Sequence, residues 1–326
     1  MKSFWIKPGA GGGVDMEQRD TPQPEPAAGQ VLLRVRAAGL NRGELIVGHA
    51  VKAGGAAKTA GGEGAGEVAK VGAGVTNVKV GERVMGRCSG AFAEYALMDA
   101  REAIAMPKSL SWEEAASLPL VFCVVHDMLI GQGKLQAGEW LLVTGISSGV
   151  GVAALQTAKA LGAKVIGTSG SQEKLDKLKG LGLDVGIATR KGDFSAKVLE
   201  ATGGKGANLV VNNVGGSVFA ETLRSLAYQG RHATIGYVDH VLKAEIDIEM
   251  LHTRRFTLFG VSNRMRSAEE RAVSVRGFVA DILPHIASGR IKPVLDKVYP
   301  FAELPAAKAR MESNAQVGKI VVRMPD

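Results

Sequence analysis

Four consecutive apolar residues, Trp140-Leu141-Leu142-Val143, run into a stretch of small residues. Val150, Ala153, Ala154, Gln156, Thr157 and Ala160 then follow at helical spacing. An apolar run this short reads as a strand buried on both faces, and the 3.6-residue period as a helix over 150–161. The texture repeats: strand-like runs at 164–167, 184–188, 207–211, 232–235 and 257–261 are interleaved with helical patterns at 172–180, 194–202 and 219–226. Strands alternating with helices imply right-handed crossovers and a six-stranded parallel sheet. The first third differs, with short alternating runs at 30–37, 66–71, 82–85 and 92–97 punctuated by glycine, as in a β-rich domain. Ser111 stands where it would cap a short helix whose first turn carries Glu113 and Glu114. After the alternating region, 268–288 reads as one long helix, and a strand, a helix and a last strand close the chain.

Composition narrows the class. The 326 residues suggest about two domains, and 46% hydrophobic against 22% charged residues suits a globular protein with substantial cores. Forty basic and 32 acidic residues leave a net charge of +8. The basic residues are dispersed, without a like-charge block, and aromatics make up only 5%, so nucleic acid is not the expected partner. Two cysteines, Cys88 and Cys123, are too few for a disulfide framework and read as small hydrophobes in a reducing compartment. The first twenty residues have no signal-peptide pattern, and no apolar run approaches the roughly 18 residues of a membrane span. A soluble, cytoplasmic protein is expected.

The small-residue turn is the candidate chemistry. A strand feeding a helix through small residues turns backbone N–H groups toward a pyrophosphate. Against the G-x-G-x-x-G form, Ile146-Ser147-Ser148-Gly149-Val150-Gly151 lacks two of three glycines, and Ser148 stands where backbone approaches phosphate. Gly151 keeps the position of close helix–strand packing. An NAD site ordinarily ends its second strand with Asp or Glu on the ribose 2′-OH. Here Gly167-Thr168-Ser169-Gly170-Ser171 and Lys174 follow instead, leaving room for a 2′-phosphate and favouring NADP(H). Arg190 is a second phosphate candidate, and for it as for Lys174 the alternative is an ordinary solvated surface charge.

Several ordered motifs join these: Leu40-Asn41-Arg42, Gly61-Gly62-Glu63-Gly64-Ala65-Gly66, Val80-Gly81-Glu82-Arg83-Val84 and Gly90-Ala91-Phe92-Ala93-Glu94-Tyr95. Asn213-Val214-Gly215-Gly216, Gly230-Arg231, Gly236-Tyr237 and Gly318-Lys319-Ile320-Val321 follow downstream. Together they resemble the medium-chain dehydrogenase/reductase superfamily, most closely its zinc-independent quinone oxidoreductase branch, which includes the zeta-crystallin-like proteins. The resemblance implies an α/β fold: a GroES-like β-rich catalytic domain from 1–120 together with 265–326, and a doubly wound Rossmann domain from 121–264, with the cofactor in the cleft. It also implies a homodimer joined across the Rossmann edge strand at 256–262, where pairing would cover an exposed edge. As cofactor contacts it implies Asn41, Val124, Ser147, Ser148, Gly149, Val150, Gly167, Ser169, Lys174, Arg190, Asn213, Gly236, Tyr237, Phe259, Gly260, Val261 and Lys319. Lys319 would reach into the cleft from the tail.

No metal site is expected. Zinc-dependent relatives need a thiolate or imidazole set beside the nicotinamide and a four-cysteine lobe. Here Leu40-Asn41 occupies the region of the first cysteine, Gly62 replaces the histidine before Glu63, and the six histidines show no ligand spacing. Hydride transfer without a metal requires mainly that the cofactor be held against an electrophilic carbon in a dry site. Asn41 is the candidate catalytic residue, its amide donating to an acceptor carbonyl; the alternative is an asparagine that closes a turn. Quinones and conjugated enones suit such a site, because the added charge moves onto oxygen and water can protonate it. Enoyl-thioester reductases place a tyrosine about a dozen residues beyond the asparagine, and this chain has none there; His49 is the nearby candidate proton donor. The expected activity is NADPH-dependent reduction of a quinone or an α,β-unsaturated carbonyl. The alternatives are an enoyl-thioester reductase and a non-catalytic, crystallin-like or RNA-binding protein.

Overall fold

Residue alternation along Gln30–Gly39 builds the first half of the molecule. This ten-residue strand is buried at nearly every position and pairs antiparallel with Glu63–Val71, Tyr95–Asp99 and Lys319–Arg323. The computed structural model describes residues 1–9, 13–47 and 51–325. His49 and the middle of the 9–13 glycine stretch therefore lie outside the described residues.

The chain divides into two units. The first comprises Met1–Val121, Ala268–Val279 and Pro293–Asp326; the second comprises Phe122–Ser267 and Ala280–Lys292. In the first, a seven-stranded sheet runs in the order Leu295–Pro300, Lys319–Arg323, Gln30–Gly39, Glu63–Val71, Arg83–Arg87 and Ile104–Ala105, with Tyr95–Asp99 also on Gln30–Gly39. A three-stranded sheet of Val14–Asp20, Lys2–Pro8 and Lys58–Thr59 packs into the same apolar core, where Phe4 meets Phe301 edge-on at 5.0 Å. Ser111 caps Trp112–Ala116 as anticipated: its hydroxyl accepts from Glu114 N while the Glu114 carboxylate accepts from Ser111 N. The Glu63–Val71 strand begins three residues earlier than the apolar alternation indicates, because Glu63 itself sits in the ladder opposite Arg87.

The second unit is a six-stranded sheet in the order Val185–Ala188, Lys164–Ser169, Trp140–Val143, Ala207–Asn212, Leu226–Thr234 and Thr257–Gly260, with every pairing parallel. Numbered in chain order, these strands run 3-2-1-4-5-6 across the sheet, the doubly wound order in which direction reverses between the first and fourth strands. Leu141, Leu142, Val143, Val165, Ile166, Leu209, Val210 and Val211 are inaccessible to solvent, which accounts for the uninterrupted apolar runs.

Two expectations need correction. The 268–288 segment is not one helix. It breaks into Ala268–Asp281 and Leu283–Ala287, because Pro284 lacks the N–H a continuing helix would use and instead opens a new first turn. Nor does all of 265–326 join the first unit. Arg271 donates to the buried Glu102 carboxylate at 2.9 Å and so fastens 268–279 to the first unit. Ile282, Ile286 and Ile291 are buried, and the Gln156 amide exchanges two hydrogen bonds with the Lys292 backbone at 2.8 and 2.9 Å, which fastens 280–292 to the second.

Candidate active site

In the second unit, the site is assembled where sheet order reverses. Thr144, just past the Trp140–Val143 strand, accepts from Asn213 N at 3.0 Å, and its backbone carbonyl accepts from the Asn213 amide at 3.2 Å. Gly145 adopts φ +62, which turns the chain away from the sheet, and Ile146 N bonds to Thr168 O at 3.0 Å. Ser148 then caps the Gly149–Ala160 helix by accepting from Gly151 N at 3.1 Å. The N–H groups of Gly149 and Val150 lie in the first turn, where no preceding helical carbonyl can take them. They face the crevice that doubly wound sheets offer to a phosphate.

Two glycines hold this turn in place from beneath. A Cβ on Gly151 would lie 2.4 Å from the Ile146 carbonyl oxygen, and one on Gly167 would lie 2.4 Å from Ile146 Cδ1. Gly167 therefore packs directly under the turn. At the end of the second strand, Ser169 accepts from Ser171 N at 3.3 Å and Ser171 caps Gln172–Lys179 by accepting from Lys174 N at 3.4 Å. Thr189 N bonds to Ser169 O at 2.9 Å, which brings Arg190 alongside. Gly170 has no side chain to obstruct it: a Cβ there would lie 3.4 Å from the Arg190 guanidinium carbon. The backbone of Ser169, Ser171 and Lys174 and the Arg190 side chain thus meet at one corner, where the strand itself ends in Ser169 rather than an acid and Asp193 is held by the Thr189 hydroxyl at 2.6 Å.

Parallel pairing places the remaining candidates at the same edge. Ser147–Val150, Ser169, Asn213, Gly236, Tyr237, Phe259, Gly260 and Val261 all lie at or just beyond the carboxyl ends of their strands. Val261 is drawn there by a 2.9 Å bond from its N–H to Thr234 O. Val124 occupies the helix Pro119–Val125 and is half-buried.

Asn41 and Lys319 belong to the first unit, where they form a polar cluster that the sequence did not reveal. Lys319 Nζ donates to Leu40 O at 3.0 Å, Asn41 Oδ1 at 2.8 Å and Glu63 Oε1 at 2.6 Å. An ammonium has three donors and all three are used, so Lys319 acts as an internal strut of the first unit. The Asn41 amide donates one hydrogen to Glu63 Oε1 at 2.8 Å and the other to Glu44 Oε1 at 3.1 Å. Both hydrogens of this amide are thus directed to carboxylates. Glu63 Oε2 accepts from Leu120 N at 2.8 Å, and Glu44 Oε1 also accepts from Gly62 N at 3.1 Å.

Glycine makes room for both acids. A Cβ on Gly39 would lie 2.5 Å from Glu63 Oε1, and one on Gly62 would lie 2.8 Å from Glu44 Oε1. A side chain at position 62 would displace the Glu44 carboxylate. Burial pushes the Glu44 carboxyl up to about 7, against the lowering effect of its bond from Asn41. Zinc does not fit this donor set, because a lysine ammonium occupies the centre between the carboxylate and amide oxygens. Cys88 and Cys123 are both free and buried, and burial raises the Cys88 thiol, consistent with small apolar residues. The signals for the cluster were a glutamate set among glycines in a strand, Gly61-Gly62-Glu63-Gly64, and the Gly318-Lys319-Ile320-Val321 motif; Glu44 had no local mark.

Residues 27–108 match the alcohol dehydrogenase GroES-like domain and residues 149–276 the zinc-binding dehydrogenase domain. The chain belongs to the medium-chain dehydrogenase/reductase superfamily, in its zinc-independent branch. Among solved structures it is similar to a Pseudomonas syringae pv. tomato quinone oxidoreductase, at 27% identity and TM-score 0.87 over 99% of this chain and 100% of that one. A mycobacterial protein complexed with NADPH is similar at 27% identity and TM-score 0.87, over 99% of both chains. The CurK enoyl reductase matches at 27% identity and TM-score 0.82 over 95% of both. Among curated proteins, the spectinabilin polyketide synthase system protein NorB of Streptomyces orinoci is 33% identical over 98% of this chain. The chain spans only 14% of NorB's length.

Proposed function

We propose that the protein is an NADPH-dependent reductase that passes hydride to a quinone or an α,β-unsaturated carbonyl. The observation that carries this reading is the corner of Ser169, Ser171, Lys174 and Arg190 beside a capped, N–H-lined turn at the reversal point of the sheet. A 2′-phosphate brings charge that hydroxyls, a lysine and a guanidinium can satisfy, and a carboxylate there would repel it. Gly149 and Val150 N–H groups take the pyrophosphate, and Asn213, Gly236, Tyr237 and the 259–261 segment line the remaining length of the dinucleotide. When bound, NADPH supplies the hydride; the protein supplies orientation and a dry surface. Val124 contributes apolar surface there.

In the first unit, the Asn41–Glu63–Lys319 cluster holds the chain rigid around residue 41. A second reading, reduction of an enoyl thioester, is supported by the similarity to a polyketide synthase protein and to an enoyl reductase. Homodimerisation would join two sheets across the Thr257–Gly260 edge, which ends the six-stranded sheet. No helix among the described residues is long and apolar enough to cross a membrane.

The test is loss of reduced-nicotinamide absorbance with a panel of naphthoquinones, 2-alkenals and trans-2-enoyl-CoA. Turnover of naphthoquinones or 2-alkenals supports the first reading, and turnover of the thioester alone supports the second. Tight NADPH binding with no turnover of any acceptor would defeat both.

A further inference from the structure

At the carboxyl edge of the six-stranded sheet, one polar network joins the turns that follow three of its strands. Asn212 ends the Ala207–Asn212 strand and is inaccessible to solvent. Its side-chain oxygen accepts from Thr144 Oγ1 at 3.2 Å, Val214 N at 3.0 Å and Gly215 N at 3.1 Å, and its amide donates to Gly215 O at 2.9 Å. The 213–215 turn is thereby tied to Thr144, from which the phosphate-facing turn departs.

Asp239 fastens the same turn from the other side. The chain leaves the Leu226–Thr234 strand through Gly236-Tyr237, and His240 N bonds to Tyr237 O at 3.0 Å, a turn that carries Asp239 back to the 213–217 segment. Asp239 N donates to Val214 O at 3.0 Å. The Asp239 carboxylate accepts on Oδ2 from Ser217 N at 2.8 Å and Ser217 Oγ at 2.5 Å, and on Oδ1 from Val241 N at 2.9 Å. Gly216 N adds a 2.9 Å bond to Val241 O. The close approach needs glycine: Gly215 has φ +130, and a Cβ there would lie 2.0 Å from Asp239 Oδ1. Burial raises the Asp239 carboxyl, but the bonds from Ser217 and Val241 outweigh it and hold the group below the usual range, so it is an anion at neutral pH.

These bonds lie beyond the last ladder pair of the two strands, Asn212 with Thr234, so sheet pairing does not set their geometry. What they fix is the spacing between Asn213 and Gly236-Tyr237. We propose that Asp239 is a positioning residue for the dinucleotide, holding these two segments at the separation that receives its ribose and nicotinamide half. The proposal rests on the cofactor lying along Asn213 and Gly236. Without the carboxylate the two segments move independently, and binding has to order them at the expense of affinity. The adenosine half meets Ser169 and Arg190 on the far side of the sheet's reversal point, and its binding does not depend on Asp239.

Asp239→Ala separates the two halves. By isothermal titration its affinity for NADPH should fall about 10–100-fold, whereas adenosine 2′,5′-bisphosphate, which has no nicotinamide, should bind within about twofold of native. Equal weakening of both ligands, or undiminished NADPH affinity, overturns the proposal. Hydrogen exchange of the protein without cofactor gives a readout independent of binding. The Ser217 and Val241 amides should be protected in the native chain and exchange about tenfold or more faster in Asp239→Ala, with 145–151 unchanged. Exchange at these amides that ignores Asp239 overturns the clamp. Ser217→Ala, at an exposed position, removes one donor to the carboxylate and decides the question if Asp239→Ala does not fold: it should weaken NADPH about threefold or more without weakening the bisphosphate, and undiminished NADPH affinity counts against the proposal. A native protein that binds the bisphosphate as tightly as NADPH overturns the cofactor placement and, with it, the role assigned to Asp239, whatever the exchange shows.

Discussion

Lys319→Met should destabilise the first unit far more than loss of an ordinary lysine. Lys319 is 6% exposed and its partner Glu63 is not exposed at all, so the substitution leaves a carboxylate without a counter-ion in the interior. Removing one member of a buried pair costs about 3–5 kcal/mol, against about 0–1 kcal/mol for a surface pair. Leu40 O and Asn41 Oδ1 lose their donor at the same time, which places the expected cost toward the upper end. A loss of this size lowers the melting temperature on the order of 10 °C. Urea denaturation followed by fluorescence in a Trp140→Phe background reads this unit alone, because Trp5 and Trp112 are its two tryptophans. The double variant Lys319→Met with Glu63→Gln should be less destabilised than Lys319→Met, because no buried charge is left unpaired. A cost below about 1 kcal/mol for Lys319→Met, or strict additivity in the double variant, would refute the buried strut.

Three further outcomes are expected. Arg190→Ala and Lys174→Ala should each weaken NADPH binding by about 1.5–3 kcal/mol, on the order of 10–100-fold, with NADH affinity unchanged when both are measured by isothermal titration. Gly151→Ala should destabilise the second unit by about 1–3 kcal/mol and abolish NADPH binding, since the new Cβ meets the Ile146 carbonyl, a backbone atom that cannot swing aside. His232 is buried, and burial depresses its imidazole from 6.5 to about 4, so the folded state resists a proton that the unfolded chain accepts. Its contribution to stability is therefore full above pH 6.5 and lost as pH falls toward 4, in total about 3 kcal/mol. Chemical denaturation across that range should show the decline, and His232→Leu should flatten it.

Much of the second unit was legible along the chain, because its central strands are buried on both faces. Trp140–Val143 and Lys164–Ser169 stand out as uninterrupted apolar or small-residue runs, and the intervening helix by its period. Helix ends were legible where a side chain closes them locally, as Ser111 and Ser148 do. Pro284 was the available mark for the break in 268–288, which apolar periodicity alone carried through. The packing demand of Ile146 on Gly167 was not legible, because the two residues are 21 positions apart and meet only when the turn folds over the second strand.

The sequence by itself determined the doubly wound unit, the turn from Ser147 to Gly151 and the acid-free end of the second strand. Each depends on residues within a few positions of one another. Only the tertiary structure decided what Asn41, Glu44, Glu63 and Lys319 do. Glu63 and Lys319 are 256 positions apart, and their 2.6 Å contact exists only because the last strand folds back onto Gln30–Gly39. Long polar side chains have no periodicity to betray a destination. Lys319 reads the same in sequence whether its ammonium reaches a ligand or a buried carboxylate, and desolvation of the folded core made the second outcome specific.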